Sequence, residues 1–141
     1  MIEERIGQKK DRILEHVRLL RSIQKDCLER FDTDLIYRGA LLHYLYLMAD
    51  SCITLAELVI KYKGLRLPQT YAEAFDILGA NNILDPEFAY SFAKIAGFRN
   101  ILAHDYDTLD GQRICNALLP GLDQVEQFVE EIEEKIILGR E

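Results

Sequence analysis

The sequence predicts an all-α protein, an up-and-down bundle of about five helices. Apolar residues recur along most of the chain at helical rather than alternating spacing. Capping residues of the Thr and Asp type precede the apolar runs, and only three prolines occur, each read as lying near a helix boundary. The length of 141 residues fits one domain, expected over 1–141, and 49% hydrophobic with 29% charged residues can bury a core.

A first helix is expected over residues 4–30, where Ile13, Val17, Leu20, Cys27 and Phe31 alternate with charges at amphipathic spacing. Asp32 and Thr33 mark a break. The second helix, 34–62, is apolar around most of its circumference and should be central, with Leu41, Leu42, Leu45, Leu55, Leu58 and Val59 pointing in different directions. A linker at 63–70 ends in the capping box Thr70-Tyr-Ala-Glu73, opening a short third helix to Leu78. Asp85-Pro86 pairs an N-cap with proline at the first helical position and starts a fourth helix running to Ala103. Asp107, Thr108 and Asp110 offer caps for a fifth helix over 110–137, whose acidic run at 130–134 reads as a solvated face.

The formal charge of −7 argues against a promiscuous nucleic-acid binder. Its distribution weakens the objection. Residues 104–141 carry three bases and ten acids, a deficit equal to that of the whole chain, so the rest is close to neutral. Cys27, Cys52 and Cys115 lie far apart without a CxxC, which suggests reduced thiols rather than a disulfide framework or zinc site. The charged N-terminus lacks a signal-peptide core, and the most apolar stretch, 39–60, contains His43, Asp50 and Glu57, which a lipid-facing span would not carry. A cytoplasmic protein without a membrane span is expected.

The polar residues of the second helix are not scattered. At about 100° per residue, His43, Tyr46, Asp50, Thr54, Glu57 and Lys61 share one stripe, which either faces water or lines a polar site. On the fourth helix, Phe88, Phe92, Ile95, Arg99, Leu102 and Tyr106 share a face, so an arginine sits in an apolar and aromatic stripe. An inward arginine needs a partner, and Asp50 and Glu57 are the candidates. His104 lies about 140° around a continuous helix from Arg99, so the helix must end or a second subunit must complete the site. Asn100, four residues before His104, shares its face.

The string at 99–106, RNILAHDY, contains Arg-x4-His-x-Tyr with a polar residue after the arginine. A chance match in a chain of this length is expected on the order of once in a few hundred. The string resembles the signature of the HepT-like toxins of the HEPN superfamily. Further landmarks follow in order: Asp50-Ser-Cys-Ile53, Gly64 to Pro68, Thr70-Tyr-x-Glu-x-Phe75, Ile83-Leu84, Phe98, and an acidic lead into the last helix. Glu57 departs from the pattern at a position where many relatives would carry a histidine.

The resemblance implies a HEPN-like homodimer and a toxin that cleaves RNA without a metal. Arg99 would clamp the scissile phosphate, His104 would act as acid or base, and Asn100 would orient His104 or the phosphate. A histidine of near-neutral pKa and a guanidinium suit that chemistry, and no Asp/Glu/His run here has metal-ligand spacing. Tyr106 would receive AMP from an MntA-type minimal nucleotidyltransferase antitoxin, so ATP would be the partner's substrate and this chain would need no cofactor. From the helical wheel, Asp50 would hold Arg99 or His104. Lys61, Lys63 and Arg66 form a basic cluster read as an RNA-backbone contact. The alternative is a non-catalytic HEPN module that docks to a nucleotidyltransferase and positions its substrate.

Overall fold

A computed structural model describes residues 1–105 and 108–138. Its helices are α1 (Ile2–Ile23), α2 (Cys27–Arg30), α3 (Leu35–Tyr62), α4 (Tyr71–Ala80), α5 (Pro86–Phe92), α6 (Ile95–His104) and α7 (Gly111–Ile132), with no strand among the described residues. The all-α bundle expected from the sequence is what forms. Helix α3 is long and apolar enough to cross a membrane, yet it lies at the centre, packed by α1, α4 and α6. Leu41, Leu42, Leu55 and Val59 on it are fully buried. The buried side chains form one cluster from Ile6 to Ile136, closed at one end by the rings of Phe75, Phe92 and Phe128.

The caps follow the sequence closely. Thr70 Oγ1 accepts from Glu73 N at 3.1 Å, while Glu73 reaches back one residue further than in the usual box, to the N–H of Gln69 at 2.6 Å. Asp85 accepts from Phe88 N at 3.0 Å with Pro86 in the first turn, and Asp110 from Gln112 N at 3.0 Å. The start of α3 is capped by Asp34, rather than Asp32 or Thr33; its carboxylate accepts from the N–H groups of Ile36 and Tyr37, each at 3.1 Å.

Two expected helices are each broken. The first passes into a 3₁₀ turn (Gln24–Asp26) before α2, and the hydroxyl of Tyr37 donates to the carbonyl of Ile23 at that break. The fourth bends at Ala93 and Lys94, where neither proline nor glycine stands. The cause is tertiary: Phe88 and Phe92 stack into the aromatic cluster, whereas α6 turns to pack on α3. Pro120 does not mark a boundary. It lies inside α7, exposed, on the face where water can satisfy the carbonyl it leaves without a partner. The α-helix itself ends at Ile132 and continues as a π-helical segment, Glu133–Leu138.

The expectation of reduced cysteines fails for two of the three. Cys27 and Cys115 form a disulfide that joins α2 to α7 across 88 residues, with Cα atoms 5.6 Å apart. Only the fold brings so distant a pair within bonding range. Cys52 remains a free thiol, fully buried in α3, where desolvation raises its pKa far above the ordinary range. The acidic C-terminal face is also more engaged than a solvated surface. Arg21 of α1 binds Asp123 at 2.8 Å and also Glu126, Lys10 lies 3.7 Å from Glu133, and Glu131 accepts from the N–H of Asp85 at 2.7 Å.

Candidate functional site

Arg99 lies midway along α6, the helix that packs on α3. Its side chain is only 16% exposed, so its charge needs compensation. All three guanidinium nitrogens are engaged. Nε donates to Asp50 Oδ1 at 3.1 Å, Nη1 to Asn100 Oδ1 at 3.2 Å, and Nη2 to Tyr46 Oη at 3.3 Å. The guanidinium carbon also lies over two aromatic faces, 5.3 Å from the Tyr46 ring centre and 5.1 Å from that of Tyr71, within cation–π range. Burial works against the charge on Arg99, but the Asp50 hydrogen bond and the phenol oxygens of Tyr46 and Tyr71 outweigh it, so its pKa is raised.

Asp50 therefore pairs with Arg99, one of the two partners left open by the sequence. Its other side stays wet, at 42% exposure. Glu57, two turns further along α3, makes no bond to the arginine; partial burial and the charge of Asp50 raise its pKa. The polar stripe of α3 thus divides its work. Tyr46 and Asp50 hold Arg99, Glu57 borders the groove described next, and His43 and Lys61 face solvent.

Beside the arginine an open groove of about 640 Å³ runs between α3, the start of α4 and α6. Glu57, Gln69, Tyr71, Gly97 and Asn100 line it. Asn100 both lines the groove and accepts from Arg99, so its side chain lies between the two. His104 occupies the last turn of α6, exposed, and its side chain makes no hydrogen bond or ion pair among the described residues. Helical geometry turns it away from Arg99, as the sequence spacing requires. Tyr106 lies outside the described residues. Of the basic cluster, Lys61 and Lys63 are exposed and Arg66 pairs with Glu73 at 3.2 Å; none of the three lines the groove.

Sequence reasoning missed Tyr46 and Tyr71 as members of the site. Tyr46 could have been found, since it stands on the same stripe as Asp50. Tyr71 stands in the landmark Thr70-Tyr-x-Glu-x-Phe75, but nothing there marks it as a neighbour of Arg99, because that contact depends on how α4 leans toward α6. Chemically, the site offers a rigid, permanently charged guanidinium beside an open groove, suited to a phosphate, and a solvated imidazole one turn beyond it.

A family model described as ribonuclease HepT-like matches residues 13–132. The chain is 30% identical over 127 residues to a tRNA nuclease HepT of Aphanizomenon flos-aquae, covering 89% of this chain and 84% of that protein. It is 26% identical over 103 residues to an mRNA nuclease HepT of Shewanella oneidensis, covering 73% and 77% respectively. Among solved structures, the fold is similar to a tri-AMPylated HEPN toxin of Shewanella oneidensis in complex with its MNT antitoxin. The TM-score is 0.82 at 24% identity, over 92% of this chain and 96% of the other. A Bacillus subtilis cytosolic protein of unknown function, YutE, gives the same TM-score of 0.82 at 15% identity, covering 98% and 92%.

Proposed function

The chain belongs to the HepT-like ribonuclease family, and from that premise we propose that it is the toxin of a toxin–antitoxin pair, an endoribonuclease acting without a metal ion. The observation that carries this reading is Arg99, held by Asp50, Asn100 and Tyr46 beside an open groove, one turn from the exposed His104. A charge so fixed suits a phosphate that gains negative character during the reaction, because its donors need no reorganisation when that charge develops. An mRNA nuclease and a tRNA nuclease among the relatives support RNA as the substrate class.

In the proposed reaction the 2′-hydroxyl of the ribose attacks the adjacent phosphorus. One imidazole takes the hydroxyl proton, the bond to the 5′-oxygen breaks, and a second imidazole protonates that leaving oxygen. His104 supplies one imidazole per chain, so the scheme requires a homodimer whose two copies of α6 share a cleft. Arg99 binds the non-bridging oxygens throughout, and Asn100 and Asp50 position it. The protein would need no cofactor. A MntA-type nucleotidyltransferase partner would consume ATP and attach AMP to Tyr106, adding bulk and negative charge two residues from His104; the AMPylated toxin in complex with an antitoxin among the similar structures supports this regulation. One buried cluster from Ile6 to Ile136 supports a single HEPN domain. RNA and an ATP-using partner make the cytoplasm the expected compartment.

The test compares the wild-type chain with Arg99→Ala and His104→Ala for growth arrest and for RNA cleavage in EDTA. The expected result is arrest and cleavage by wild type, and loss of both in each variant. Cleavage that survives both substitutions, or that needs a divalent cation, overturns the mechanism. Growth arrest without cleavage, or neither, favours the docking module. For the regulation, co-expression with the antitoxin should add the mass of AMP to the wild type and not to Tyr106→Phe.

A further inference from the structure

Apart from the exposed Arg18, the bases of α1 fall into two sets on either side of its buried face. Lys10 and Arg21 turn toward α7 and the π-helical segment that continues it, and are paired with acids there. Arg5, Lys9 and Arg12 turn the other way, toward α3, where they line a polar groove of about 230 Å³ with Gln8, Thr54 and Leu58. No ion pair neutralises any of these three among the described residues, and no carboxylate lines the groove. In a chain of net charge −7, three unneutralised cations together on one helix face need a physical reason.

We propose that this α1 face binds the backbone of the RNA substrate beyond the Arg99 groove; the inference rests on the nuclease reading and adds a contact for a second stretch of the strand. Thr54 is the geometric link. It stands one helical turn from Asp50, which holds Arg99, and three residues before Glu57, which borders the Arg99 groove, so the two grooves flank one ridge of α3. That ridge is a single helix, about 10–12 Å across, short enough for a nucleic-acid strand to cross. Along α1 the rise from Arg5 to Lys9 is about 6 Å, comparable with the step between neighbouring phosphates on a strand. Lys61, exposed and three residues past Leu58 on α3, extends the same face. The floor offers a hydroxyl and an amide but no aromatic ring on which a base could stack, which favours phosphate over base recognition.

The experiment measures binding of a labelled single-stranded RNA to the full chain carrying His104→Ala, so that binding is read without cleavage. Adding Arg5→Gln, Lys9→Gln and Arg12→Gln together should weaken binding about 10- to 100-fold at low salt. The slope of log affinity against log salt should become shallower by about 0.7 for each phosphate that is no longer neutralised. Arg5→Lys with Arg12→Lys should retain binding. Arg18→Gln with Lys25→Gln, on other faces, should leave it unchanged, and thermal melts should match the parent throughout. Equal affinity and slope in the triple variant overturn the proposal, as does an equal loss in the Arg18/Lys25 control, which would mean net charge alone. Abolished antitoxin binding with RNA binding intact would instead assign the patch to an acidic protein partner. Failure of wild type to cleave RNA would sink the nuclease reading without altering what this binding series reports.

Discussion

Asp50→Ala isolates what holds the arginine. The substitution removes the carboxylate that accepts from Arg99 Nε at 3.1 Å and leaves a side chain of 16% exposure with only Asn100 and Tyr46 as hydrogen-bond partners. Two unit charges about 4 Å apart attract by about 4 kcal/mol at an effective dielectric of 20 and by about 1 kcal/mol in bulk water. Asp50 is 42% exposed, so the pair sits between these limits. Its desolvation cost offsets part of the gain, and the net loss expected is about 1–2 kcal/mol. For a domain of this size that corresponds to a fall of about 3–7 °C in Tm, readable by calorimetry. Under the proposed function, RNA cleavage should fall about 10- to 100-fold, equivalent to about 1.4–2.7 kcal/mol of transition-state stabilisation, because a loosened guanidinium must be reoriented. Asp50→Asn keeps an acceptor and drops the charge, and should fall between Ala and wild type on both readouts. Unchanged melting together with cleavage within twofold of wild type would refute the argument that Asp50 positions Arg99.

Three further outcomes are expected. Reducing the bond between Cys27 and Cys115, or replacing both cysteines by serine, should cost about 2–4 kcal/mol given the 88-residue separation, about 7–13 °C in Tm; identical melts with and without dithiothreitol would count against the pairing. His16 is 5% exposed with Nδ1 unpartnered, and burial, aided by Arg12, His43 and Lys9 against Glu15, lowers its pKa below 6.5. The unfolded chain then takes up this proton more readily than the folded one, so stability should fall as pH drops from about 6.5; urea melts of His16→Leu should lose that part of the slope. Gly79→Ala would bring a Cβ within 2.7 Å of the Cβ of Ala89, between α4 and α5. That overpacking, about 1–3 kcal/mol, should exceed the helix-propensity gain of about 0.5–1 kcal/mol, so denaturant midpoints should decrease.

Much of this was legible in the sequence because local physics decides it. The caps at Thr70, Asp85 and Asp110 need only a side chain and an N–H two or three residues away, and the helix period put Asp50 on the stripe from which it meets Arg99. What escaped depends on distant partners. The bend at Ala93 and Lys94 exists because α5 and α6 answer to different neighbours, and no residue there announces it. Tyr71 reaches Arg99 only through the placement of α4, and Cys27 finds Cys115 only once α2 and α7 are side by side. The paired bases at Lys10 and Arg21 and the unneutralised ones at Arg5, Lys9 and Arg12 look alike in sequence; their different fates follow from which helix each set faces.

The bond between Cys27 and Cys115 also changes the topology of the molecule. It closes a covalent ring that contains α3, α4, α5 and α6, and with them every described residue that touches Arg99. Helix α1 and most of α7 hang outside this ring as two tails that pack against each other. A single backbone cut in the exposed connection between α3 and α4 would therefore leave one covalently continuous molecule, with the arginine and its partners still tethered on both sides of the nick. The same cut in the reduced protein would split those partners between two chains, Asp50 and Tyr46 on one and Arg99, Asn100 and Tyr71 on the other.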